Sequence, residues 1–408
     1  MKAGSLRSWA TLCVGILAAI WANVSFAQEE VKVGVLLPYT GVLQIQAQDN
    51  TRGFELYLKQ VGGRAGGRRV VLIKEDDEAN PSVGLNKLRK LIERDRVDLL
   101  FGPVHSGVAL AIRDTIHANK VPWVISQAPV REFTAPHPLA SPYIFRINET
   151  FDQANVTMGR WLYRNIPHRR LIVLAADFEA GHQAIDGFKA TFQELGGRIV
   201  KEIYPPLNTA DYAPYLAQID PSQADAVYSW VAGADAVRLV KQFSEYGLKN
   251  RIPLYGYATL TDDVILPAIG DAALNVITIG LYTSQLNNPN NPNNAKFVKD
   301  YEAVHGILPS RYSETGYTGA QLIVQAINSL KGDLRNKERI LSALKEAAGQ
   351  ISSPRGVVQF DKYNQVIPTM YITKTERKGG RLVNSVIDTI PNVTQESTWG
   401  WWMKGASK

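Results

Sequence analysis

The sequence predicts an α/β protein of two doubly wound, parallel-sheet lobes joined by a hinge that the chain crosses three times. Three observations carry this. The chain has 408 residues, more than one ordinary domain holds. Apolar, strand-like runs alternate with amphipathic, helix-like stretches, the pattern of parallel sheets covered by helices on both faces. That alternation runs through one series, restarts near residue 170, and ends in a tail of different character.

In the first series, Val31 to Leu37 is an apolar strand closed by Pro38. Residues 50–61 form a helix with Phe54, Leu56, Leu58 and Val61 mostly to one side, and Gly62-Gly63 terminates it through a left-handed cap. Arg69 to Lys74 is the next strand. Residues 81–94 form a helix with Val83, Leu85, Leu88, Leu91 and Ile92 at core spacing. Strands follow at 97–101, 121–126 and 143–147, with a helix over 107–119.

The second series has strands at 170–175, 198–204, 224–230, 253–255 and 276–281. Helices at 182–195, 212–219 and 233–246 lie between them. In the tail, Asn287 to Asn294 is an Asn/Pro loop. Helices are expected near 295–305, 314–331 and 336–347, and short strands near 355–360, 367–374 and 381–388. This material is too little for a third domain and is expected to complete the first two. Crossings near Asn148, Tyr282 and Val366 divide the chain into lobe one, residues 28–147 plus 283–365, and lobe two, residues 148–282 plus 366–408. Ligands of parallel α/β sheets sit at the carboxyl ends of strands, so two such lobes face each other across one cleft.

Residues 1–27 read as an export signal. Lys2 and Arg7 precede an apolar run from Trp9 to Ala22, which is short for a membrane span. Ser25-Phe26-Ala27 then places small residues for cleavage after Ala27. Cys13, the sole cysteine, lies in this segment behind Ala10-Thr11-Leu12, which is not a lipidation box. The mature chain therefore has no disulfide, thiolate nucleophile or cysteine metal site. The formal charge is +7; cleavage removes Lys2 and Arg7 and no acid, leaving +5. The densest basic patch, Gly63 to Arg69, reads as a solvated turn, and export makes nucleic acid a poor partner. A soluble, periplasmic monomer is expected.

Signatures of chemistry are missing. None of the six histidines forms H-E-x-x-H, and there is no P-loop or G-x-S-x-G elbow. Gly62 to Gly67 follows a helix and precedes a strand, the reverse of a phosphate cradle. Glu75-Asp76-Asp77-Glu78 lacks the spacing and turn glycine of a calcium loop. The expectation is a protein that is not an enzyme and carries no metal or cofactor.

Ordered segments resemble the branched-chain amino-acid-type (type I) periplasmic solute-binding proteins of ABC importers, from about Val31 to Tyr371. These are Val31 to Gly41, Arg52-Gly53-Phe54-Glu55-Leu56, Gly102 to Ala111, Pro205-Pro206 with Asp211-Tyr212, Asp225-Ala226-Val227-Tyr228, and Gly356 to Asp361. The resemblance implies a binding protein that hands its ligand to a membrane ABC permease. It also implies that Ser106, with helix N–H groups, holds a ligand carboxylate. The physical reading agrees, because Ser106 opens a helix; a plain N-cap role is the alternative there.

Departures from the family pattern bear on the ligand. Ser126-Gln127-Ala128 looks like a cleft-lining segment, one residue short and without the hydroxyl expected after Ala128. Ala258 stands where amino-acid-binding members place the acid for the ligand ammonium, and Ala180 replaces a tyrosine ring. Trp230, Phe178 and Tyr39 sit at strand ends, with core packing or ligand contact both open for the first two. Gln46, His105 and Tyr257 complete the candidate set. A larger pocket without an ammonium partner points to an aromatic or otherwise bulky carboxylate, benzoate-like or phenylpropenoate-like. A branched-chain amino-acid or amide carrier is the alternative, with Glu179 supplying the acid, and a ligand-sensing module is another. Trp399, Trp401 and Trp402 are expected to pack back on the protein rather than mark a partner site.

Overall fold

The computed structural model describes residues 30–286 and 291–401. Residues 1–29, with the segment read as an export signal, residues 287–290 of the Asn/Pro loop, and residues 402–408, with Trp402, lie outside them.

The first sheet is built from β1 (Val31–Leu37), β2 (Arg64–Ala65), β3 (Arg68–Asp76), β4 (Leu99–Phe101), β5 (Trp123–Ile125) and β6 (Ile144–Arg146). Its order is β2-β3-β1-β4-β5-β6, parallel except for the β2–β3 hairpin. Its connections are helices α1 (Gln44–Gln60), α2 (Pro81–Glu93) and α3 (Ser106–Asn119). β1 is apolar without alternation because it is central and covered on both faces. Asn80 caps α2 by accepting from the Ser82 and Val83 N–H groups, with Pro81 at the first helical position.

The chain then leaves through Asn148 and Glu149 into α4 (Phe151–Asn165), whose Thr150 and Gln153 form a capping box. A second sheet follows: β7 (Arg170–Ala175), β8 (Arg198–Ile203), β9 (Ala226–Trp230), β10 (Leu254–Tyr257) and β11 (Ile277–Gly280). Helices α5 (Glu179–Glu194) and α6 (Gly233–Glu245) connect its parallel strands.

The tail divides between the two bodies. Helices α7 (Asn293–His305), α8 (Arg311–Ser329) and α9 (Lys337–Ala348) come next, and α8 packs against α1 and shares a core with β1 and β4. Strands β12 (Met370–Lys378) and β13 (Arg381–Ile390) add antiparallel to β11, giving the order β13-β12-β11-β10-β9-β7-β8. Two α/β lobes with mixed but centrally parallel sheets result.

Two elements differ from expectation. The strand expected at 355–360 is absent: only isolated bridges form, Ser353 with Gly356 and Phe360 with Val366. Pro354 has no N–H to give a ladder, and Gly356 is left-handed at φ +99°. The helix expected over 212–219 shrinks to a turn, Ala213–Leu216, with Pro214 in its first turn and Pro221 soon after its end. The Glu75–Glu78 cluster is spent locally: Glu75 pairs with Lys87 and Lys90, and Asp76 accepts from the Tyr39 N–H and the Thr40 hydroxyl. The tail tryptophans pack on the protein, Trp401 under the Arg131 guanidinium at 4.6 Å and Trp399 against Tyr363 at 5.7 Å.

Candidate functional site

A cavity lies between the lobes at the carboxyl ends of β4, β5, β9 and β10, where the parallel topology directs it. The space between its walls, open solvent at the mouth included, is about 500 Å³. Lobe one contributes Leu43, Val104, His105, Ser106, Gln127, Pro129, Arg311 and Tyr312; the crossing contributes Asn148 and Phe151. Lobe two contributes Phe178, Ala180, Leu207, Trp230, Ala232, Tyr257 and Thr259.

At the start of α3 the cap is His105, not Ser106. His105 Nδ1 accepts from the Val108 N–H at 3.3 Å, which leaves the ring proton on Nε2. Burial pushes the imidazole down to about 4, so it is neutral at pH 7. With the cap supplied, Ser106 occupies the first helical turn, is buried, and its Oγ has no protein partner. A buried hydroxyl beside free N–H groups at a helix N-terminus suits an anion.

Rings line the rest. His105 stacks on Phe178 across the cleft, centroids 5.1 Å apart and planes 14° apart. Trp230 is held between Phe178 and Phe151, each 5.5 Å away, and Phe151 meets Tyr257 edge-on at 6.1 Å. Ala180 is buried on this wall, so a ring there would occupy cavity space.

The floor is a buried polar network that the sequence did not announce. Arg311, the first residue of α8, donates from Nη1 to Gln127 Oε1 at 3.0 Å. Its Nη2 reaches Asn148 Oδ1 at 2.8 Å, Glu149 Oε1 at 2.9 Å and the Tyr257 hydroxyl at 2.7 Å. Tyr257 donates in turn to Glu149. Burial opposes the guanidinium charge most strongly, but Glu149, Tyr257, Tyr312 and Asp262 together outweigh it and hold the arginine pKa above its ordinary value. The lobes therefore share a closed ion pair, with the Tyr257 hydroxyl bonding across the hinge.

The other expected residues fall outside the cavity wall. Tyr39 is half-buried and hydrogen-bonds Thr51 at 2.7 Å. Gln46 lies under the rim, its amide between the Leu43 carbonyl and the Gly233 N–H of the opposite lobe. Gly233 is left-handed at φ +62°, and a Cβ there would sit 2.3 Å from the Val42 carbonyl, so a side chain would wedge the lobes apart. Ser126 and Ala128 are buried behind the wall, Ala128 with its N–H on the Pro103 carbonyl. Ala258 faces Gly280 of β11 rather than the cavity. Glu179 is exposed and bonded to Gln183 at 2.6 Å. The structure thus gathers His105, Ser106, Gln127, Phe178, Ala180, Trp230 and Tyr257, and adds Asn148, Phe151, Arg311 and Tyr312.

The periplasmic binding protein family model matches residues 30–381. The chain belongs to that family. Among solved structures, this periplasmic binding protein is similar to an ABC transporter substrate-binding protein from Sphaerobacter thermophilus, 35% identical, TM-score 0.82, covering 90% of this chain and 99% of that one. It is also similar to an ABC transporter solute-binding protein of R. palustris in complex with benzoate, 30% identical, TM-score 0.81, covering 88% and 96%. A Leu/Ile/Val-binding protein homolog 6 of Brucella melitensis is 27% identical over 377 residues, 90% of this chain and 93% of that one. Sequence reasoning missed Arg311 and Glu149 in this periplasmic binding protein because they stand 162 positions apart. A charged residue right after Pro309-Ser310, opening a helix with only one other charge, Glu314, was the available signal.

Proposed function

We propose that this periplasmic binding protein is the solute-binding component of an ABC importer, exported by cleavage after Ala27, and that it binds a small aromatic or otherwise bulky carboxylate. Its role is capture and delivery, not catalysis. The lobes that close are residues 28–147 plus 283–365 and 148–282 plus 366–408. A membrane permease receives the closed, monomeric form.

One observation carries the ligand class. The cavity is walled by rings, offers the unpartnered Ser106 hydroxyl at a helix N-terminus, and counts Arg311 but no Asp or Glu among its lining residues. Glu149, the acid of this network, pairs through Oε1 with Arg311 and is not among the cavity-lining residues, and Glu179 is exposed. An α-ammonium would be buried without a partner. The benzoate complex of the R. palustris relative supports the reading. Differential contact with both lobes then favours the closed form.

The Brucella relative favours a second reading, a branched-chain amino-acid carrier. Ligand-stripped mature protein should be melted with benzoate- and cinnamate-type acids and with leucine, valine and simple amides. A ligand at 100 times its Kd stabilises by about 2.7 kcal/mol, a clear rise in Tm. A rise with the aromatic acids alone supports the proposal; a rise with leucine or valine alone overturns it.

A further inference from the structure

The cavity wall carries unpartnered donors on both lobes. On lobe one they are the Ser106 hydroxyl and the Arg311 Nε–H. On lobe two the surrounding wall of Phe178, Ala180, Leu207 and Ala232 is apolar. The Thr259 hydroxyl is spent on the Val231 carbonyl, and the Tyr257 hydroxyl is spent on Glu149 and Arg311. What remains is the Trp230 indole. Its Nε1–H is buried and has no hydrogen-bond partner. The rings that grip it, Phe151 and Phe178, carry no lone pair to accept from it.

A buried donor left without a partner is costly, and native structures rarely keep one without a reason. Indole nitrogen only donates, so its complement is an acceptor. The two Phe contacts fix the ring, so the N–H is held in place before any ligand arrives.

We propose that Trp230 is a specificity-determining residue whose Nε1–H bonds a second oxygen on the ligand, remote from the carboxylate. Resting on the carboxylate reading above, this narrows the ligand to a ring-oxygenated aromatic acid. A ligand with an oxygen at each end would join Ser106 of one lobe to Trp230 of the other. Both bonds form only when the lobes close, so the second oxygen acts on closure as well as on contact.

The test uses shape-matched pairs on ligand-stripped mature protein, by titration calorimetry. 3- and 4-hydroxybenzoate are set against 3- and 4-methylbenzoate, and 3- and 4-methoxybenzoate against 3- and 4-ethylbenzoate. At one ring position the oxygenated acid should bind at least about tenfold tighter than its hydrocarbon match. Methoxy should show the preference as well as hydroxy, because the protein group is a donor. Trp230→Phe keeps a ring and removes the N–H, and should bring that ratio to within about twofold. Equal binding within every wild-type pair overturns the proposal, whether or not the variant folds. So does a folded Trp230→Phe that keeps the full ratio. If none of these acids binds, the carboxylate reading itself has failed and this one with it.

Discussion

Replacing Arg311 with Met should be among the most damaging single changes in this protein. The guanidinium and the Glu149 carboxylate are both nearly inaccessible, at 3% and 0%. Four hydrogen bonds leave with the arginine, to Gln127, Asn148, Glu149 and Tyr257. Glu149 is then a buried carboxylate left with the hydrogen bond from the Tyr257 hydroxyl. Breaking a buried pair on one side costs about 3–5 kcal/mol. Replacing both partners removes the stranded charge, so Arg311→Met with Glu149→Gln should recover about 2 kcal/mol relative to Arg311→Met alone. Urea unfolding of ligand-stripped protein at pH 7.4, followed by circular dichroism, measures all three differences. An Arg311→Met cost below about 1 kcal/mol, or simple additivity in the double variant, would refute the view that this pair is a buried, mutually dependent charge lock.

Other outcomes follow from the same geometry. Ser106→Ala should weaken an aromatic carboxylate by about 1.5–3 kcal/mol, roughly ten- to a hundredfold by calorimetry, with Tm of the free protein little changed because Ser106 Oγ has no protein partner. Ala180→Tyr should fill the lobe-two wall and abolish binding of bulky acids, read in the same titration. His105 is held neutral with its pKa down to about 4, so the unfolded chain binds the proton first as pH falls. Its contribution is intact above about 6.5 and is lost between 6.5 and 4, up to about 3 kcal/mol. His105→Asn keeps a cap and should flatten the pH–stability curve across that window. Gly316→Ala should cost about 3 kcal/mol or more in urea unfolding, since a Cβ there would lie 1.9 Å from the Asn50 carbonyl where α8 crosses α1.

Much of the fold was legible in the sequence because periodicity is local. The apolar run Val31–Leu37 declares a doubly covered strand without reference to anything distant, and the restart near Arg170 declares a second sheet. The exceptions were elements with no periodicity to read, such as the bridged turn at 353–356, where Pro and Gly chemistry overrode an apolar run. At the site, His105, Ser106, Phe178, Ala180, Trp230 and Tyr257 were reachable because each ends or follows a parallel strand at its carboxyl end.

What the sequence determined by itself is therefore the class: two α/β lobes, a cleft between them, and no motif for bond-making chemistry. Only the tertiary structure decided which atoms in that cleft are free. Whether Ser106 caps its helix depended on His105 doing so instead, a matter of one 3.3 Å bond. Whether Ala258 or Glu179 mattered depended on which way each faces, and both face away from the cavity. The charge of the floor came from Arg311 and Glu149, brought together by the return of α8 to lobe one and the exit of the chain at Asn148. Hydrogen-bond satisfaction and buried charge balance are pairwise properties of atoms distant in sequence, so no local pattern encodes them.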